Sequence, residues 1–163
     1  MFINERERFE AFYTADLYNI DDVGKQLGTK VVARSNGTSD LNFFKTFGLH
    51  ASYFPNTIHH EYTKVFGYLH SDTGVHYTFS ASETNIYQQI QALCEGFGVA
   101  KVYHGELPES DFVGGKEYRV IDGDLSDLRP MDKAVHGISH TDGYIVGLRF
   151  KKPRFGIAKL GER

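Results

Sequence analysis

The chain has 163 residues, with 18 Lys and Arg against 21 Asp and Glu, giving a formal net charge of -3. That length suits one domain able to bury a core without disulfide or metal staples, and 40% hydrophobic with 24% charged residues excludes a disordered chain. A lone Cys94 excludes an internal disulfide framework and a Cys-based zinc cluster. The opening MFINERERFE puts charge where a signal peptide needs apolar residues, and no apolar run reaches spanning length. A soluble, cytoplasmic, single-domain protein is expected over 1–163.

Asn4 with Glu7 resembles a capping box, and Phe9, Phe12, Tyr13, Leu17 and Ile20 follow helical spacing. A second short helical piece is expected through Ile20, Val23 and Leu27, stopping at Gly28, a usual terminator. TKVVAR (29–34) is a strand candidate closed by the turn Ser35-Asn36-Gly37. Thr38 or Ser39 then caps a helix carrying Leu41, Phe43, Phe44 and Phe47. HASYFPNTIHHE (50–61) reads as irregular, with His59-His60 as surface residues.

Segments 62–70 and 75–82 flank Ser71-Asp72-Thr73-Gly74 and read as a β-hairpin. Pairing from the turn sets Phe66, Tyr68 and His70 opposite Phe79, Tyr77 and Val75 on an aromatic face. Ser80 with Glu83, or Ser82 alone, caps a helix with Ile86, Ile90, Leu93 and Phe97, and Cys94 at that spacing reads as a buried small hydrophobe. AKVYH (100–104) is a strand, 105–116 a loop, and EYRVI (117–121) a strand. Segment 123–143 reads as a long polar loop, and 144–150 and 154–160 as two last strands. The order from residue 29 to 104 is βαββαβ. The expected fold is therefore α+β: a ferredoxin-like antiparallel core over 29–104, with an added N-terminal helix (1–28) and a loop-rich strand extension (105–163).

Eight histidines give material for acid–base chemistry. His136 and His140 stand four apart, as in some zinc sites, but Gly137 and Thr141-Asp142-Gly143 favour a loop; no metal site and no cofactor is expected. His76 and Thr78, two apart on a strand, point the same way. Such a pair can serve a phosphodiester with a second imidazole supplied by His136 or His140. His-x-Thr resembles the motif of the two-histidine phosphodiesterases, but a second copy at that spacing is absent, so family membership does not follow.

Ser35, Asn36 and Thr38 before a helix, with Ser80 on a neighbouring strand, could hold an anion through hydroxyls and backbone N–H groups; a turn with an N-cap explains the same residues. Arg149, Lys151, Lys152 and Arg154 form a basic patch, against five basic and eleven acidic side chains over 83–142. The overall acidic balance makes nucleic acid an improbable partner. The expected function is that of an accessory or inhibitor-type protein, a class that includes viral proteins. It would bind a partner protein or a polar nucleotide-like ligand and self-associate as a homo-oligomer. A phosphodiester-processing enzyme built on His76 and Thr78 is the competing expectation.

Overall fold

Helix α1 (Arg6–Leu27) opens a computed structural model that describes residues 5–37 and 39–151. The helix ends where Gly28 takes a left-handed φ of 64°, open to glycine at little steric cost, and its N–H bonds back to the last turn. Its inner stripe runs through Phe9, Tyr13, Leu17, Ile20, Asp21 and Gly24, whereas Phe12 and Val23 face outward. Asp21 ties this helix to the sheet: its carboxylate accepts from the Asn56 backbone N–H (2.7 Å), the Asn56 side-chain amide (2.9 Å) and the Thr57 hydroxyl (3.1 Å). Short helix α2 (Phe43–Thr46) is capped by Asn42, whose side-chain oxygen accepts from the Lys45 N–H. The Phe43 ring packs at a tilt against Tyr13 at 5.1 Å and Phe9 at 5.4 Å, so aromatics join α2 to α1.

Seven strands form one sheet: β1 (Val31–Ala33), β2 (Thr57–Thr63), β3 (His76–Ser80), β4 (Gly98–Tyr103), β5 (Ser110–Val113), β6 (Lys116–Asp122) and β7 (Tyr144–Arg149). Their spatial order is β1-β2-β3-β4-β7-β6-β5, parallel throughout except for the antiparallel β5–β6 pair at one edge. The chain steps outward from β1 to β4, jumps to the far edge, and returns through β6 to β7 beside β4. Right-handed crossovers running in opposite directions belong on opposite faces. Accordingly α1, α2 and α3 (Ile86–Cys94) cover one face, where Leu17, Phe44, Ala92 and Leu93 pack with Phe54, Tyr77, Phe79, Val99 and Ile145. On the other face, a 3₁₀ turn (Arg129–Met131) and helix α4 (Asp132–His136) cross from β6 to β7. There Ala100, Ile121, Tyr144 and Val146 pack with Tyr62, Ile138 and Leu148.

This sheet overturns the ferredoxin-like expectation. The expected hairpin is a parallel crossover: 66–70 is a 3₁₀ turn, and β3 lies alongside the preceding β2 in the register His60↔His76. Phe66 meets Phe79 edge-on at 6.2 Å as a cap on the helical face rather than as a cross-strand partner. The irregular 50–61 segment contains most of β2, and His59 and His60 are buried within it instead of lying on the surface. The expected loop at 105–116 contains β5, and the one at 123–143 contains the crossover. Cys94 is exposed, its thiol 3.7 Å from the Tyr118 hydroxyl, not buried. Strand β7 stands between β4 and β6, so the segments 29–104 and 105–149 share one sheet. The expected strand 154–160 lies outside the described residues. No helix among the described residues is long and apolar enough to cross a membrane.

Candidate functional site

In an open parallel sheet the loops leaving the carboxyl ends of neighbouring strands part to opposite faces where the winding reverses, and ligands bind in the crevice this opens. The reversal here spans β3, β4, β7 and β6. A cavity of about 720 Å³ lies at those ends, on the α4 face. Ser80 and Ala81 line it from the end of β3, Ala100 and Val102 from β4, Leu148 from β7, and Gly123 to Asp127 from the loop after β6. Arg34, Tyr62 and Lys64 extend it past β1 and β2 into a second depression of about 280 Å³, bordered by Asn36, Gly37, Ser39 and Asp40.

The polar wall is a linked set. The Arg34 guanidinium lies 4.7 Å from the centre of the Tyr62 ring and 3.8 Å from the Asp127 carboxylate. The Tyr62 hydroxyl donates to that same carboxylate at 3.1 Å, and burial pushes its pKa up to about 12, so it keeps its proton. Asp124, across the crevice, accepts from the Arg149 backbone N–H at 2.8 Å and pairs with Lys151 at 3.2 Å. These contacts hold its carboxyl below the usual range. The floor of Ala81, Ala100, Val102, Leu125 and Leu148 is apolar. Cations, carboxylates, one aromatic ring and an apolar floor together fit a flat polar molecule carrying both hydroxyl and anionic groups.

Behind Tyr62, under the Arg129 turn, lies a buried polar cluster. His60 and His76 are register partners on adjacent strands; Tyr62 and Thr78 follow two residues on, on the same face. Arg129 is 1% exposed, donates through Nη2 to the Ser126 carbonyl and pairs through Nη1 with Asp132 at 3.3 Å. Burial pushes the His60 imidazole down to about 4. His76 is pushed down too, first by burial and then by Lys133 and Arg129. Both rings are therefore neutral near pH 7. Among the described residues, no group of three or more His, Cys, Asp or Glu side chains is placed to hold a metal ion.

The residues singled out in the sequence fall into three places. Asn36 and Ser80 border the crevice, while Thr38 lies outside the described residues. The donors of the Ser35-Asn36 turn are taken up by a side chain of the protein itself: Glu61 Oε1 accepts from the Ser35 N–H (2.9 Å), the Ser35 hydroxyl (2.8 Å) and the Asn36 N–H (2.9 Å). His76 and Thr78 sit in the buried cluster, where the neighbouring imidazole is that of His60. His136 ends α4, with its carbonyl accepting from Arg119, and His140 is exposed in the following loop, its carbonyl taken by Lys133. Of the basic patch, Arg149 grips Asp122 with two bonds of 2.9 and 2.8 Å and Lys151 pairs with Asp124, so both charges are met within the chain. Lys152 and Arg154 lie outside the described residues. Sequence reading missed Tyr62, Lys64, Asp124, Asp127 and Arg129. The signal was a Gly-Asp segment (123–124) directly after a strand, which carries meaning only once the sheet is read as parallel.

A family model described as Gene product 88 matches residues 1–154. The chain belongs to the Gene product 88 family. That description states no substrate, reaction or partner. No curated protein and no solved structure matches the chain.

Proposed function

We propose that the protein binds a nucleotide-like polar ligand in the crevice at the carboxyl ends of its parallel strands. The observation that carries this reading is the coincidence of the 720 Å³ cavity with the reversal of winding, where sheets of this kind take their ligands. Arg34 and Lys64 supply charge for a phosphate. Asp124 and Asp127 accept from hydroxyls, as carboxylates do for a ribose, and the apolar floor with the Tyr62 ring suits a base. Isothermal titration calorimetry of the full chain with AMP, ATP, GTP and NAD tests it. At least one of these binds, and Arg34→Ala weakens that binding about tenfold or more, the loss of one charge-assisted contact. No heat at millimolar nucleotide, or equal affinity in Arg34→Ala, refutes the reading.

The competing reading, a phosphodiester-processing enzyme using His76 and Thr78, is favoured by one observation: a second imidazole, His60, stands beside His76 on the next strand. The two readings part on turnover. The enzyme reading requires hydrolysis of a phosphodiester probe that His76→Ala abolishes; the binding reading requires none.

A further inference from the structure

Three polar atoms meet no protein partner in the buried cluster beneath the Arg129 turn, Nε of Arg129, Nδ1 of His60 and Oγ1 of Thr78, and Arg129 Nη1 has only its ion pair with Asp132 and no hydrogen bond. Thr78 is fully buried, and Arg129 and His60 are each 1% exposed. A buried donor or acceptor left dry forfeits its water bonds with nothing in return, so several together in one place call for a shared polar occupant. His60 and Thr78 sit on rigid elements, β2 and β3, and Arg129 is fixed by its bond to the Ser126 carbonyl and its pairing with Asp132.

The chemistry of the occupant follows from the donors. A guanidinium offers a planar fork matched to oxyanions, a threonine hydroxyl donates one further bond, and each imidazole donates from both ring nitrogens once it takes a proton. The charges facing the two rings are Arg34, Arg129, Lys133 and Asp127, three positive against one negative. The remaining carboxyl, Asp132, is pushed up by burial and is already engaged by Arg129, with the Tyr144 hydroxyl 3.4 Å away. A cation would meet repulsion here, and an apolar molecule would leave every one of these groups unpaired.

We propose that His60, His76, Thr78 and Arg129 form a buried binding site for a tetrahedral oxyanion, either inorganic phosphate or the phosphoryl group of a larger molecule. Tyr62 separates this site from the crevice, its ring 6.1 Å from that of His60 and its hydroxyl on Asp127. The site does not rest on what the crevice binds. When the oxyanion enters, it favours the protonated form of both rings, so binding takes up protons and tightens as the pH falls toward 6.

The test is NMR of the full chain with 15N-labelled histidine, assigned through His60→Gln and His76→Gln, titrated with inorganic phosphate, AMP or adenosine at constant ionic strength in chloride. Phosphate should shift the ring signals of His60 and His76 and raise the proton affinity of each about tenfold, the effect of one close opposite charge. A shift with AMP but not with phosphate supports the site and identifies a phosphoryl group as the occupant. Ring signals that stay at their chloride positions with both phosphate and AMP overturn the proposal. Because replacing Arg129 can unfold the protein, the second arm uses the near-isosteric Thr78→Val. That variant should bind at least threefold more weakly, and undiminished binding by it also overturns the site.

Discussion

Replacing Glu61 by Gln isolates one buried carboxyl whose titration the fold has displaced. Glu61 sits in β2 beneath α1, near Tyr13 and Tyr77, with Arg34 following β1. Burial pushes its pKa from 4.5 up to about 7, against the pull of the Ser35 and Asn36 donors and of Arg34. Between those values the folded protein holds a proton that the unfolded chain has released. The stability this proton confers is therefore complete below pH 4.5 and is lost as the pH rises through about 7. A displacement of that size corresponds to about 3 kcal/mol across the interval. Gln keeps an oxygen for the three donors and carries no charge, so it removes the titration while keeping the clamp on the turn. Urea denaturation of both proteins at half-unit steps from pH 4.5 to 8 gives the difference in unfolding free energy. Taking the difference cancels the opposing contributions of His59, His60 and His76, whose lowered pKa values add stability as the pH rises. Stability of Glu61→Gln relative to wild type should rise by about 3 kcal/mol from pH 4.5 to 8. A difference that stays flat over that range refutes the reasoning.

His59 has neither ring nitrogen paired and lies against Phe44 at 4.9 Å and Phe54 at 5.3 Å; His59→Leu should stabilise by about 1 kcal/mol at pH 7.5 and by more at pH 5, where the wild-type ring resists its proton. Equal gains at the two pH values in urea melts would remove that explanation. Asp21→Ala takes three hydrogen bonds from the junction of α1 and β2 and should cost about 2 kcal/mol or more, with hydrogen exchange rising first in α1. A Cβ on Gly143 would run into the Leu93 backbone at the end of α3, whereas one on Gly67 meets nothing within 4 Å. Gly143→Ala should thus lose about 2 kcal/mol or more and Gly67→Ala almost nothing, and thermal melts that show equal losses would contradict this packing. Arg149→Gln frees Asp122 and Asp124, so a lower melting temperature at low salt is expected, with the gap closing as salt rises.

What the sequence determined by itself was local. The stripe of Phe9, Tyr13 and Leu17, ended by Gly28, specifies α1, and the apolar runs at 31–33, 98–103 and 144–149 specify β1, β4 and β7, because these residues bury the faces their period predicts. Strand β2 escaped that logic: His59, His60, Glu61 and Thr63 are all buried, so a rule that equates polar with exposed reads the strand as a loop. Parallel or antiparallel pairing also lay beyond the sequence. A Gly-ended connection between two aromatic segments fits a hairpin, and only the packing of Phe66 on Phe79 made it a crossover turn. Once β2 and β3 run parallel, His60 faces His76, and the reversal of winding brings Arg34, Tyr62, Ser80, Asp124 and Asp127 to one rim. That rim is assembled from residues up to 93 positions apart (34 to 127), and no local spacing encodes such a meeting. Helices and strands follow from neighbours along the chain; the site follows from the order in which the strands lie side by side.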